Sequence, residues 1–352
     1  MGIMSPQKLN FSWETPKPED AGISPNLSAN LAGATLRGEY SGLHALLIVR
    51  DGKLAHETYL PGKDENWGQQ LASTEHSQSL NHDLRSITKS IVALLYGIAL
   101  NSDLVPPAET KLMEALPEYR HFFTGSNKRL ISIDHVLSMR MGLTWNEDFQ
   151  YANLTNGERL MEQAPDRIRY ILDRPMSERP GSHWVYSGGS TTLLGHLIER
   201  GTGTKLEDFA QNVLFNPLGI DGAEWSRWPD GRPAASSGLR LTARKLARIG
   251  QMVLDRGLWN GSRIVAVEWI AALIRPRGYA EAGLRYGYQW WLGRLAANGK
   301  RWYAAYGNGG QRLIIIPSLR LVVVIFAGNY NQADQWKMPV QLISRTVLPA
   351  VL

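Results

Sequence analysis

Ser86 and Lys89 stand three residues apart at the start of an apolar stretch, Ser-Ile-Thr-Lys followed by Ser-Ile-Val-Ala-Leu-Leu-Tyr-Gly-Ile-Ala-Leu. Residues three apart on a helix share a face, so the amine reaches the hydroxyl. A neutral amine beside a hydroxyl can take its proton and make the oxygen a nucleophile. The letters alone decide little, because Ser5-Pro-Gln-Lys8 has the same spacing in a polar, proline-containing lead-in. Context separates the two. After Ser86 the apolar residues Ile87, Ile91, Leu94, Leu95 and Ile98 recur at helical spacing. That helix is apolar on most sides, which predicts burial in a large core. Its N-terminal end, with unpaired N–H groups and the positive dipole end, favours a nearby oxyanion. The plainer alternative is a serine N-cap and a solvated lysine on an ordinary core helix.

A nucleophile needs a proton shuttle and oxyanion donors. Gly181-Ser-His-Trp-Val-Tyr186-Ser187-Gly188-Gly189-Ser190 presents a phenol just before a helix. The plainer alternative is aromatic packing with Ser187 or Ser190 as the N-cap. Tyr306-Gly307-Asn308-Gly309-Gly310-Gln311 precedes a strand. Its glycines let a substrate approach the backbone closely, and an edge N–H there can face a bound carbonyl oxygen. The alternative is a flexible turn. No G-x-G-x-x-G opens a helix and no G-x-S-x-G is present, which argues against a dinucleotide site and an α/β-hydrolase elbow. Trp145, Trp184, Trp290 and Trp291 lie near these segments and are pocket or core aromatics in equal measure.

The elements that must position these groups are legible in outline. Residues 1–40 read as an irregular lead-in with a helix around 26–37. His44–Arg50 and Lys53–Tyr59 read as strands joined by a turn at Asp51-Gly52. The polar stretch from Pro61 to His82 reads as loop. From about residue 101 helical patterns dominate. One runs through His135–Arg140 to a cap at Gly142. Others cover Asp166–Asp173, Thr191–Arg200 and Lys205–Leu214. Near the end Tyr286–Trp291 reads as extended. Leu313–Ile316 and Leu321–Phe326 form a hairpin around Pro317 whose continuous apolar runs predict burial on both faces. Pro339–Val351 reads as a helix. The expected fold class is α+β. One antiparallel sheet is built from both chain ends and flanked by helices, with a mostly helical lobe inserted. The chain reads as a single domain, 1–352, with a sheet lobe of 40–100 plus 235–352 and a helical lobe of 101–234.

Composition bounds the rest. A chain of 352 residues with 43% hydrophobic and 20% charged residues is ordinary for a globular protein. No run approaches the roughly 20 apolar residues that span a bilayer, and the first residues lack the apolar core of a secretory signal. The expectation is a cytoplasmic protein without a membrane partner. No cysteine is present, which removes disulfides and thiolate chemistry. The eight histidines are scattered without metal-motif spacing, so neither a metal nor another cofactor is expected. The net charge of +6 is interspersed, without the basic-aromatic array of a nucleic-acid binder.

In their order and spacing the three motifs resemble those of the serine β-lactamase-like hydrolases, a family that includes penicillin-binding proteins. The branch most similar is that of class C β-lactamase-like esterases and amidases, among them 6-aminohexanoate-dimer hydrolases. Ser86-Ile-Thr-Lys89 matches its S-x-x-K, Tyr186-Ser187-Gly188 its tyrosine motif, and Asn308-Gly309-Gly310 its third motif. Connecting segments match too, from the Val49–Tyr59 hairpin through Ile133–Leu143 to Leu193–Gly203, so the likeness covers roughly residues 40–330. It implies a β-lactamase/transpeptidase-like fold with Ser86 as acylated nucleophile, Lys89 as its deprotonating partner and Tyr186 as proton shuttle. It also implies backbone oxyanion donors at Ser86 and Gln311, in a site bounded by Asn308, Gly309, Gly310 and Gly188. This chemistry needs a depressed pKa on Lys89 or Tyr186. Two departures stand out: Gly188 where many members carry asparagine, and Asn308 where penicillin-recognising members carry lysine or histidine. Both remove side chains that hold a β-lactam. The resemblance therefore implies an esterase or amidase of small acyl compounds, with weak or no β-lactamase activity. The alternative it leaves is a protein on the same fold that binds acyl compounds or senses penicillin without turnover.

Overall fold

The computed structural model describes residues 11–147 and 153–352; Ser5 and Lys8 lie outside them. Helix α1 (Leu27–Leu36) leads into the hairpin β1 (Leu43–Arg50) and β2 (Lys53–Tyr59). A second hairpin, β3 (Gly62–Asn66) and β4 (Gln69–Thr74), precedes a short strand β5 (His82–Asp83) and helix α2 (Ile87–Asn101). The middle of the chain is helical: α3 (Leu112–Ala115), α4 (Ile133–Leu137), α5 (Gly157–Gln163), α6 (Arg167–Asp173), α7 (Gly188–Thr202) and α8 (Leu206–Ala210). Next come β6 (Glu224–Trp225), β7 (Leu239–Leu241), α9 (Ala243–Leu254), β8 (Leu258–Trp259), β9 (Ser262–Arg263) and α10 (Val267–Leu273). The chain closes with β10 (Gly278–Tyr279), β11 (Arg285–Tyr286), β12 (Trp291–Arg294), β13 (Arg301–Gly307), β14 (Gln311–Ile316), β15 (Leu321–Ala327) and α11 (Lys337–Leu342).

Eight of these strands form one antiparallel sheet in the order β10-β11-β12-β13-β14-β15-β1-β2. The first hairpin thus pairs with the last strand, and the sheet is built from both chain ends as expected. The apolar runs follow from the period of two in a strand. Ala45, Leu47 and Val49 of β1, with Val322, Val324 and Phe326 of β15, face the core shared with α2 and α9. Leu46 and Ile48, with Leu321, Val323, Ile325 and Ala327, face a second core closed by α1 and the C-terminal helix. A sheet covered on both sides has no polar face, so its central strands carry no alternation. Helix α2 lies in the larger core against α7.

The structure corrects four expectations. The polar segment after Pro61 contains the β3–β4 hairpin, which turns at Trp67 and Gly68 with left-handed φ of 49° and 90°. Its strands are largely exposed and polar, so they carry no apolar period. The helix expected to run to Arg140 stops at Leu137, where Met139 takes a left-handed φ of 56°. Gly142 therefore lies beyond it, beside the bridge of Leu143 to Met176. Tyr286–Trp291 is a turn between paired strands, because Tyr286 pairs with Trp291 and Gln289 has a φ of 61°. Strand β13 and helix α9 escaped the sequence reading.

Candidate active site

Ser86 immediately precedes α2 and is half-exposed, whereas Lys89, in the first turn, is almost fully buried. Ser86 makes no side-chain cap bond to the helix, so its hydroxyl stays available. Lys89 Nζ lies 3.0 Å from Ser86 Oγ, donating to it. The same ammonium donates to the Ser236 carbonyl at 3.1 Å and meets Glu158 Oε1 at 3.3 Å. The residue before the serine is conformationally special. Arg85 has a left-handed φ of 49°. Its guanidinium pairs with Glu65 Oε2 at 2.5 Å and Asp83 Oδ2 at 3.2 Å, and lies 4.9 Å over the Tyr330 ring. Such a conformation costs a non-glycine residue about 1–3 kcal/mol and persists only when its surroundings hold it.

Tyr186 comes to the same place from the segment just ahead of α7. Ser187 caps that helix, its Oγ accepting from the Ser190 N–H at 3.3 Å. The Ser86 hydroxyl is close enough to the Tyr186 phenol to lower its pKa, and Lys89 Nζ sits 5.0 Å from the centre of the tyrosine ring. The first and second motifs therefore meet around Lys89. The tyrosine ring stands in an aromatic array. Trp291 stacks on it at 6.0 Å, Trp184 lies at 6.0 Å, and Tyr286 and Tyr306 flank Trp291 at 5.2 and 5.3 Å. Trp290 is separate, wholly buried in the core.

The third motif reaches the site with its backbone rather than with Asn308. Gly307 packs so closely on the Leu84–Arg85 backbone that a Cβ would lie 2.3 Å from the Leu84 carbonyl oxygen. The Gln311 side chain turns inward and holds Ala327 at both backbone groups, donating to its carbonyl at 2.6 Å and accepting from its N–H at 2.9 Å. Asn308 is engaged with Asn331 through both amide atoms, at 2.7 and 2.8 Å. The Gly309 N–H is bonded to Gln335, and Gly310 takes a left-handed φ of 96°. Arg312, buried across the Tyr306 ring at 4.2 Å, is a cation beside this strand that sequence reasoning missed.

Two carboxyl groups were missed as well. The Asn156 cap fixes α5 and sets Glu158 in its first turn. Glu147 accepts from the Trp145 indole N–H and the Gly188 N–H. Gly188 makes room for them. A Cβ there would lie 2.4 Å from Glu158 Oε1 and 3.2 Å from Glu147 Oε1. Neither glutamate carries a motif, and the glycine at 188 was their only trace in the sequence.

These carboxyls set the electrostatics. Burial alone lowers the pKa of Lys89, but the Glu158 carboxylate, with Tyr186 and Glu147 behind it, outweighs that and holds it above the usual lysine range. Burial raises the Tyr186 phenol, and the Lys89 charge offsets only part of that. Burial and the Glu158 charge push Glu147 up to about 8. The expected depressed pKa is therefore absent from both Lys89 and Tyr186. The free site holds an ammonium, a phenol and two carboxyl groups that share one buried cation.

A Beta-lactamase family model matches residues 37–335. The chain belongs to the Beta-lactamase family. Members of the Beta-lactamase family are serine hydrolases acting on amide and ester bonds. The 6-aminohexanoate-dimer hydrolase of Paenarthrobacter ureafaciens is 25% identical over 317 residues, 85% of this chain and 76% of that one. The solved structure of EstCE1, a hydrolase with promiscuous acyltransferase activity, superposes with a TM-score of 0.71 at 14% identity, covering 90% of this chain and 97% of that one. The octameric penicillin-binding protein homologue of Pyrococcus abyssi superposes with a TM-score of 0.68 at 15% identity, covering 90% and 76%. At these identities the two structures show a shared Beta-lactamase-family fold. Among the described residues no helix is long and apolar enough to cross a membrane.

Proposed function

We propose that this chain cleaves ester or amide bonds of small acyl compounds through an acyl-enzyme on Ser86, with Lys89 and Tyr186 moving the protons. One observation carries the reading: Lys89 Nζ stands 3.0 Å from Ser86 Oγ and 5.0 Å from the centre of the Tyr186 ring, so the three groups share one site. Lys89 rests as an ammonium, so it must give up a proton before it can accept one. Glu158 at 3.3 Å is the group placed to take it. The amine then receives the Ser86 proton as Oγ bonds the acyl carbon. Tyr186 protonates the leaving oxygen or nitrogen, whose bond to that carbon breaks. The proton on Lys89 restores the phenol, and Glu158 returns its own to Lys89. Water repeats the steps on the acyl-enzyme, releases the acid and frees Ser86.

The substrate class follows from the surroundings. Asn308 is occupied by Asn331, and Gly188 offers no amide, so two side chains that would hold a β-lactam are missing. The aromatic array around Tyr186 supports an apolar acyl or leaving group. The names of the relatives, one a hydrolase of the 6-aminohexanoate dimer and one a hydrolase with promiscuous acyltransferase activity, favour the same reading. The test is a fluorophosphonate probe followed by mass spectrometry, with turnover measured on p-nitrophenyl esters, linear amides and nitrocefin. Label on Ser86 and ester turnover that vanishes in Ser86→Ala are expected, with nitrocefin cleaved poorly. An unlabelled Ser86 in folded protein would overturn the reading.

A further inference from the structure

Behind the strand that leads into Ser86, four side chains from four separate segments converge. His44 lies on β1, Asp64 on β3, His82 on β5, and His76 on the loop between β4 and β5. His44, Asp64 and His82 are each about 1% exposed. His44 Nδ1 and His82 Nε2 are 2.9 Å apart, and His82 Nε2 lies 3.5 Å from Asp64 Oδ1. One ring nitrogen of each of the three histidines lies within 4.8 Å of the others.

We propose that His44, His76, His82 and Asp64 bind a single divalent cation of the zinc class in tetrahedral N₃O coordination. Ligands about 2.0–2.1 Å from a tetrahedral zinc stand roughly 3.3 Å from one another, and the two separations above straddle that edge. Imidazoles with one carboxylate suit zinc among the first-row metals. The outer partners are those of metal ligands. The Nδ1 hydrogen of His82 goes to the Asp83 carbonyl at 3.1 Å, which leaves the Nε2 lone pair facing His44 and Asp64. The Tyr330 hydroxyl donates to Asp64 Oδ1 at 2.8 Å.

Charge argues the same way. The only ion-pair partner of Asp64 among the described residues is His82. Asp64 is otherwise held by the Tyr330 hydroxyl, and no Lys or Arg pairs with it among the described residues. An unneutralised buried anion is costly, and a bound cation relieves it. Arg240, the nearby positive charge, is engaged with Glu224 and the Glu65 and Asn81 carbonyls.

Coordination asks for two local changes. The hydrogen between His44 and His82 moves to His44 Nε2, a tautomer shift that releases no proton. The His76 ring, now stacked on His44 at 4.1 Å and 21°, turns to aim a nitrogen inward. The ring sits on a loop, and its buried Nε2 makes no hydrogen bond that the turn would break. The histidines at 44, 76 and 82 match no linear metal motif, which is why the sequence pointed to none. Only the packing of β1 against the loop and β5, which belong to no common sheet, brings them together.

The test is equilibrium dialysis of chelator-stripped protein against zinc chloride, with zinc counted by elemental mass spectrometry and melting followed in parallel. Wild type is expected to bind one zinc per chain and to melt at higher temperature with it. His76→Ala and Asp64→Asn are expected to bind at least about tenfold more weakly, since even outer-shell losses cost that much. His76 is half-buried on a loop, so its variant folds and decides the matter if Asp64→Asn does not. Cobalt(II) in wild type is expected to give the intense visible bands of a tetrahedral site. Less than one tight zinc per chain, or equal binding by His76→Ala, would overturn the proposal. Neither result touches the hydrolase reading, because none of these four residues contacts Ser86, Lys89 or Tyr186.

Discussion

Gly188→Ala tests the role of Glu158 without touching it. The new methyl would lie 2.4 Å from Glu158 Oε1, whereas ordinary contact begins at 3.4 Å. The carboxylate must therefore retreat by about 1 Å. Its separation from Lys89 Nζ is now 3.3 Å. At an effective dielectric of about 20, widening that gap to about 4.3 Å weakens the attraction from about 5 to about 4 kcal/mol. The weaker pair by itself would ease loss of the proton, but at about 4.3 Å the acceptor oxygen is out of hydrogen-bond reach, and losing that contact, at about 1 kcal/mol, costs roughly five- to tenfold in rate. The backbone opposes nothing, since Gly188 is an ordinary helical residue and alanine favours a helix by about 1 kcal/mol. We expect an unchanged or raised melting temperature and a five- to tenfold lower kcat/KM on a p-nitrophenyl ester. Glu158→Gln is expected to lose at least as much. The double variant is expected to be no worse than Glu158→Gln, because both changes remove one contact. Wild-type activity in Gly188→Ala, or losses that add in the double variant, would refute the reasoning.

Ser86→Ala should lower ester turnover by at least about 10⁴-fold with melting unchanged, checked by stopped-flow assay and by loss of the acyl adduct in intact-protein mass spectrometry. Lys89→Met should destabilise the fold by about 3–5 kcal/mol, because it strands two carboxyl groups without their cation; urea titration should show the penalty growing as pH rises and those groups ionise. Glu147 carries the opposite sign from a salt-bridged acid. Its folded value of about 8 exceeds the ordinary 4.5, so its burial costs nothing below pH 4.5 and progressively more as pH rises toward 8. Glu147→Gln should therefore leave stability unchanged at pH 4.5 and raise it by up to about 3 kcal/mol at pH 7, read from denaturation curves at the two pH values.

The parts of this molecule that were legible in its sequence are those where one segment states its own environment. The runs Leu46–Val49 and Val322–Phe326 announce strands covered on both sides. Ser86 and Lys89 announce a shared helical face, and their 3.0 Å contact is local. The parts that were not legible depend on the meeting of distant segments. Glu147 and Glu158 carry no signal of their own until the N-terminus of α7 arrives with a glycine at 188. The pKa of Lys89 inverts for the same reason, since burial was readable from the apolar helix but the carboxylate beside it was not. Asn308 looked available because its partner, Asn331, lies in another loop. The β3–β4 hairpin failed the period test because its residues are polar and the two buried ones, Asp64 and Glu65, are adjacent rather than alternating.

The left-handed Arg85 has a consequence in time. Helix α2 is encoded locally and can form early. The turn that aims Ser86 is different, for it is held by Glu65 of β3 and by Tyr330 near the other end of the chain. The proposed nucleophile is thus a product of assembly rather than of its own helix, and Ser86 takes this orientation only when β3 and the Tyr330 segment have docked. Regain of esterase activity on refolding should lag the return of helical circular dichroism, which makes catalysis a reporter of the last long-range contacts to close.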